Sequence, residues 1–255
     1  MPFNRQAFFD AVRRSPFAGS LSGSQVDGME RILDAFDRYG TGDRRHLAYI
    51  LATAFRETGC LMQPVREGFA KSDAAARAAV AKLFASGRIS RNYALPNAAG
   101  RSFYGRGDVQ LTFEDNYRKM GLILGLDLVG NPDLVLDPDI SARILVEGML
   151  RAVSLKGDFS GRALEDYIAG TRCDYVGARH TVNGTDHAAE IAANAVKFEA
   201  ALVAAGWTTI VLPDTPPPPA NDNQVAATKP ASSGLFAGLK AAASAVHTAL
   251  SRKSA

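Results

Sequence analysis

Apolar residues recur along this chain at helical rather than strand spacing. Val26, Met29, Ile32, Leu33 and Phe36 form one stripe that ends at Gly40. Asp43 can cap the next helix, whose stripe is Leu47, Ile50, Leu51 and Ala54. Ser72 opens an Ala-rich helix that stops at Gly87, and Thr112 precedes another that reaches about Leu124. Asp137-Pro138 is a cap followed by proline at the first helical position, which predicts a helix to about Ala152. Two more helices are predicted over Asp174–Val182 and Asp186–Ala205. Long alternating runs are missing, so strands are limited to a short hairpin around 60–70 or 100–110. The fold class is mainly α, a helical domain with at most a small hairpin.

Composition changes the picture at Leu212. Residues 213–234 are polar and Pro-rich, with Pro216 to Pro219 consecutive, and read as a flexible linker. The domain therefore spans 1–212, and a basic amphipathic helix is predicted over 235–252. In that tail Leu235, Phe236, Leu239, Val246 and Leu250 share a face, while Lys240, Arg252 and Lys253 supply positive charge. Such a helix predicts weak contact with an anionic membrane. Over the whole chain 29 Lys+Arg against 26 Asp+Glu leave a net charge of +3, too little for a nucleic-acid partner. No apolar run is long enough to span a bilayer. Asp10 and the arginines around it replace the apolar core of a signal peptide, which predicts synthesis in the cytoplasm and action elsewhere only after release. Cys60 and Cys173 are expected to be buried thiols. His46, His180, His187 and His247 are scattered, without HExxH spacing, so no metal site is expected.

Candidate chemistry concentrates in three stretches. Glu57 falls on the apolar stripe of its own helix and at that helix's C-terminus, where burial and the macrodipole both favour a protonated acid. Two uses fit it: a general acid, or a structural carboxylate paired with Arg56 or Arg66. Glu67 lies in a loop marked by Gly59, Pro64 and Gly68, free to face Glu57 across a cleft. It is either the second carboxylate of a glycoside-hydrolysing pair or a solvated loop charge. Should Glu67 not serve, Asp73 and Glu114 are the alternative bases. The third stretch, Phe103 to Tyr117, has glycines flanking Arg106, then Gln110, Thr112 and Asn116 as neutral donors and acceptors. Thr112 with Asp115 also resembles a capping box. The lone Trp207 is expected to pack rather than bind sugar.

LATAFRETG, MQPVREGF, FYGRGDVQLTFEDNY, LVGNPDL and ARHTVNG, spread over 43–205, resemble family 19 glycoside hydrolases, the chitinases and phage-type endolysins with a lysozyme-like core. The resemblance implies an inverting enzyme without a cofactor. Glu57 would be the general acid and Glu67 the general base. Thr112 would help to place the water. Gln110, Asn116 and Asn183 would contact water or sugar, and Tyr104 and Arg106 would form the cleft wall. Arg56 stands where many relatives have His beside the acid. The compact form and the lack of a cysteine-rich module lead us to expect peptidoglycan, cut by a monomeric endolysin-like enzyme of phage or prophage type. The alternatives are a chitinase, and a non-catalytic wall-binding or virion protein in which an ion pair with Arg56 holds Glu57 ionised and unfit to donate a proton.

Overall fold

The computed structural model describes residues 3–151 and 157–210. The linker and tail predicted over 213–234 and 235–252 lie outside them. Seven α-helices and two antiparallel pairs of very short strands make up the described fold: α1 Arg5–Arg14, α2 Gly23–Tyr39, α3 Arg44–Glu57, β1 Val65–Arg66, α4 Asp73–Ala85, β2 Arg106–Gly107, α5 Glu114–Leu124, α6 Pro138–Met149, β3 Ile168–Ala169, β4 Arg172–Cys173 and α7 Ala188–Ala204. The mainly α class holds.

Local chemistry explains most starts. Ser22 and Gln25 form a reciprocal capping box on α2. Asp43, Ser72 and Asp137 cap α3, α4 and α6 through their side chains, as their sequence positions predict. α5 differs: its N-cap is Phe113, at φ 75 and with no side-chain cap. Thr112 instead donates its hydroxyl to the Gln110 carbonyl at 2.9 Å, so the capping-box reading is corrected. The stretch 174–182 forms only a 3-10 turn over Gly177–Thr181. α1 was not predicted; its Phe8, Phe9 and Val12 are buried, and α1 packs on α7.

α3 is the central element. His46 to Ala54 are all fully buried, and the helix packs along α7 while α2 packs along α6. Each fully buried Leu or Ile here contributes about 1.5–3 kcal/mol by leaving water. His46 is a satisfied core group, with Nδ1 2.8 Å from Thr41 Oγ1 and Nε2 2.9 Å from the Ile168 carbonyl. The carbonyl can only accept, so Nε2 carries the proton and Nδ1 accepts from Thr41. Burial pushes this imidazole below its ordinary pKa and keeps it neutral. Trp207 packs edge-on against Phe3 at 4.8 Å, closing the ends of α1 and α7, in agreement with a packing role. Cys60 and Cys173 are free thiols at the surface rather than buried; Cys60 sits at φ 68 in the turn that follows α3, outside the helix's buried face.

β1 pairs with β2, with Val65 opposite Gly107 and Arg66 opposite Arg106. This pairing joins two stretches that the sequence treats as separate candidate hairpins. It sets MQPVREGF beside YGRGDVQLT, just past the C-terminal end of α3.

Candidate active site

α3 ends at Glu57, and burial of the helix carries that side chain inward, leaving it 3% exposed. Its partner is neither Arg56 nor Arg66. Arg179, from the 3-10 turn before α7, donates from Nη1 to Glu57 Oε1 at 2.9 Å, and both side chains are nearly inaccessible. Arg179 Nε also donates to the Asp186 carbonyl at 3.0 Å, which fixes the guanidinium. Glu57 Oε2 has no hydrogen-bond partner among the described residues. Arg56 points the other way, to Glu190 at 3.6 Å and to His187 Nε2 at 2.8 Å. Arg66 pairs with Asp133 at 2.7 Å. The structural pairings expected for Glu57 are thus corrected: adjacent helix residues point about 100° apart, so Arg56 cannot share the face of Glu57.

Glu67 is not a solvated loop charge. It is 8% exposed, because the β1–β2 pairing draws it beneath the Gly105 backbone. Its N–H donates to the Gly105 carbonyl at 2.7 Å, and the Gly105 N–H donates back to Glu67 Oε2 at 2.9 Å. The Tyr93 hydroxyl donates to Oε1. A side chain at 105 would press Gln110 Oε1 at 2.8 Å, so glycine lets the two backbones close. Burial pushes the Glu67 carboxyl above its ordinary pKa, against the opposing pull of Tyr93, the Gly105 N–H and the Arg106 charge.

The remaining candidates mostly build the frame around these carboxylates. Tyr104 is fully buried, with the Arg106 guanidinium 3.7 Å from its ring centroid. Arg106 is 2% exposed and donates to Asp133 at 2.8 Å, to the Ser102 carbonyl at 2.9 Å, to Tyr117 at 3.1 Å and to Asp73 at 3.2 Å. Both brace the hairpin from beneath rather than lining an open wall. Burial works to raise the Asp133 carboxyl, but Arg66 and Arg106 prevail and hold it below the ordinary range. Gln110 adopts φ 54 and spends its amide on the Val65 and Gly107 carbonyls, at 2.9 and 3.0 Å, stapling β1 to β2. Asn116 donates to the Thr112 carbonyl at 2.8 Å. Asn183 Oδ1 accepts from the Gly184 N–H at 2.9 Å, one turn after Arg179. Of the alternative bases, Asp73 is held by Arg77 and Arg106, and Glu114 by Asn97 and Arg118. Among the described residues no group of three or more His, Cys, Asp and Glu side chains is placed to hold a metal ion.

Sequence reasoning missed three members of this site. Arg179 lay in the quoted ARHTVNG stretch, but its use as the partner of Glu57 has no local signal. Tyr93 lay outside every motif. Asp108, inside the YGRGDVQLT block, is 3% exposed and clasps α6: its N–H donates to Ser141 Oγ at 2.8 Å, and that hydroxyl donates to Asp108 Oδ2 at 2.6 Å. Burial pushes the Asp108 carboxyl up to about 6. Gly107, at φ +83, permits this approach, since a Cβ there would lie 2.9 Å from Ser141 Oγ.

The chain is similar to known proteins over part of its length. The family model described as chitinase class I matches residues 35–147, a stretch that holds α3, both glutamates, the β1–β2 pairing and α5. A basic endochitinase of Vitis vinifera is 55% identical over 40 residues, 16% of this chain and 13% of that protein. An inactive chitinase-like protein of Hevea brasiliensis is 51% identical over 51 residues, 20% of this chain and 16% of that protein. The similarity thus spans less than a fifth of the length of either relative. The crystal structure of a bacterial family 19 chitinase aligns over 81% of this chain and 96% of that one, at 20% identity and a TM-score of 0.44. The curated relatives found are chitinases and chitinase-like proteins of plants, and this overturns the expectation of an endolysin that cuts peptidoglycan. Compactness and cysteine content do not say which polymer such a protein acts on.

Proposed function

We propose that this chain, whose residues 35–147 match the family 19 glycoside hydrolase model, is a member of that family and hydrolyses β-1,4 linkages in a chitin-type amino-sugar polymer. The observation that carries the reading is the pair of buried glutamates inside the matched stretch, one held by the Arg179 guanidinium and the other by the Tyr93 hydroxyl and the Gly105 N–H. Glu57 protonates the leaving oxygen through Oε2, since Arg179 occupies Oε1. Glu67 takes a proton from a water, and that water attacks the anomeric carbon from the opposite face, inverting it. Both Glu67 oxygens accept from donors, which is the bonding a carboxylate base needs. Thr112 Oγ1 gives its proton to Gln110 and keeps its lone pairs for that water. The protein's own side chains supply both proton transfers.

The test is release of shorter sugars from soluble chitin oligomers, with the product anomer read directly by proton NMR. Inversion at the cut supports the reading; retention removes the water-activating role of Glu67. A non-catalytic protein keeping the fold has one observation in its favour, the inactive chitinase-like relative. The residue that first suggested it, Arg56, is bound to Glu190 and His187 instead of Glu57. Failure of well-folded protein to cleave any chitin oligomer would establish that reading in place of hydrolysis.

A further inference from the structure

Tyr93 lies between α4 and β2, in a segment that no motif singles out. Its hydroxyl donates to Glu67 Oε1, while the Gly105 N–H holds Oε2 at 2.9 Å. The two donors lock the carboxylate in one rotamer and one plane. The ring of Tyr93 meets Phe113 edge-on, with centroids 5.5 Å apart and planes at 66°. Phe113 sits at φ 75, and its N–H donates to the Phe103 carbonyl at 2.8 Å. A non-glycine residue in that conformation is held by its surroundings. Thr112 is its immediate neighbour, so the same aromatic pair touches both the carboxylate and the turn that aims the Thr112 hydroxyl.

We propose that Tyr93 is the positioning residue of the general base: its phenol holds Glu67 Oε1, and its ring ties that carboxylate to the Phe113 turn that carries Thr112. The inference rests on the reading of Glu67 as base. The phenol is suited to the task because burial and the neighbouring carboxylate push its own pKa far up, so it remains a donor. The other titratable groups that face Glu67 are Arg106, whose charge favours the carboxylate, and Tyr117, whose hydroxyl is spent on the Tyr104 carbonyl at 2.8 Å. Tyr93 is therefore the one uncharged side chain that donates to the Glu67 carboxylate among the described residues.

Tyr93→Phe keeps the ring against Phe113 and deletes only the donor. Loss of a donor to the charged form raises the pKa of the carboxyl. Two measurements read this. Carboxyl-carbon NMR of Glu67, taken without substrate, should show its titration midpoint moving to higher pH in Tyr93→Phe. On a soluble chitin hexamer, kcat should fall roughly tenfold with KM within about twofold, the scale of one hydrogen bond to a charged group. The acidic limb of the kcat profile should also move to higher pH. In a Glu67→Gln background the same substitution should change kcat no further. A Glu67 midpoint and an acidic limb both unmoved in Tyr93→Phe, with Glu67→Gln inactive, overturn the role of Tyr93 alone. Wild-type activity in Glu67→Gln overturns the base assignment and Tyr93 with it.

Discussion

Glu57 ends a helix and accepts from a guanidinium 122 residues away in sequence, whereas Glu67 sits beside a strand pair and accepts from a phenol and a peptide N–H. Both side chains are almost fully buried, so burial alone does not separate them. The partners do. A carboxylate on a buried guanidinium is tied to the integrity of another element, since neither charge can be left alone. A carboxylate on neutral donors leaves no buried opposite charge behind when its side chain is replaced by a neutral one. Glu57 thus joins α3 to the entry of α7, and Glu67 makes the hairpin responsive to pH.

Substitution should break this contrast in a definite order. The largest effect is on rate: Glu57→Gln should lower hydrolysis of chitin oligomers by at least ~10²-fold, the usual scale for general acid catalysis. Wild-type turnover by a folded Glu57→Gln protein would remove the acid from the scheme. Next comes stability. Arg179→Ala strands the Glu57 carboxylate in the core and should cost about 3–5 kcal/mol in urea unfolding. Glu67→Gln strands no charge and should cost about 1 kcal/mol or less at neutral pH. Equal losses for the two variants would show that the guanidinium pair is not special.

A third comparison sharpens the pH side. The folded-state pKa of Glu67 is raised, so its contribution to stability is full below the unfolded pKa and is lost as pH rises through the folded one. Asp108, pushed up to about 6, acts in the same direction. Wild-type unfolding free energy should therefore decline from about pH 4 to above pH 6. Glu67→Gln and Asp108→Asn should each remove part of that slope, and unchanged slopes in both would show that these carboxyls titrate as in the unfolded chain. The smallest effect is expected at Arg56. Its Glu190 partner is half exposed, so Arg56→Ala should cost about 1 kcal/mol and leave the Glu57 chemistry intact.

The helices α2, α3, α4 and α6 were legible because their apolar stripes or caps are local, whereas α1 was missed although Asn4 caps it. Ser22, Asp43, Ser72 and Asp137 each satisfy N–H groups within three residues. α1 was harder, with only a few large apolar residues in ten positions and its buried face defined by α7. The turn at Phe113 was misread because Thr112-Phe113-Glu114-Asp115 has the composition of a capping box, and only the Phe103 contact and the Tyr93 ring decide between them. Glu57 and Glu67 stood out as carboxylates. Arg179 and Tyr93 did not, because a hydrogen bond across 122 or 26 residues leaves no trace in spacing. Gln110 and Arg106 show the converse: residues conspicuous in a motif turn out to hold the backbone in shape.

The link between Glu67 and Gly105 closes a loop of 38 residues, and α4 lies wholly within that loop. Closure entropy grows only with the logarithm of length, so doubling such a loop costs about 0.6 kcal/mol. The hairpin therefore acts as a clasp: what it encloses can lengthen, shorten or be exchanged while the two ends stay in register. If the proposed hydrolysis of a sugar polymer holds, this separates two properties. Contacts made by the enclosed segment can drift, while the Glu67 carboxylate remains where the clasp puts it.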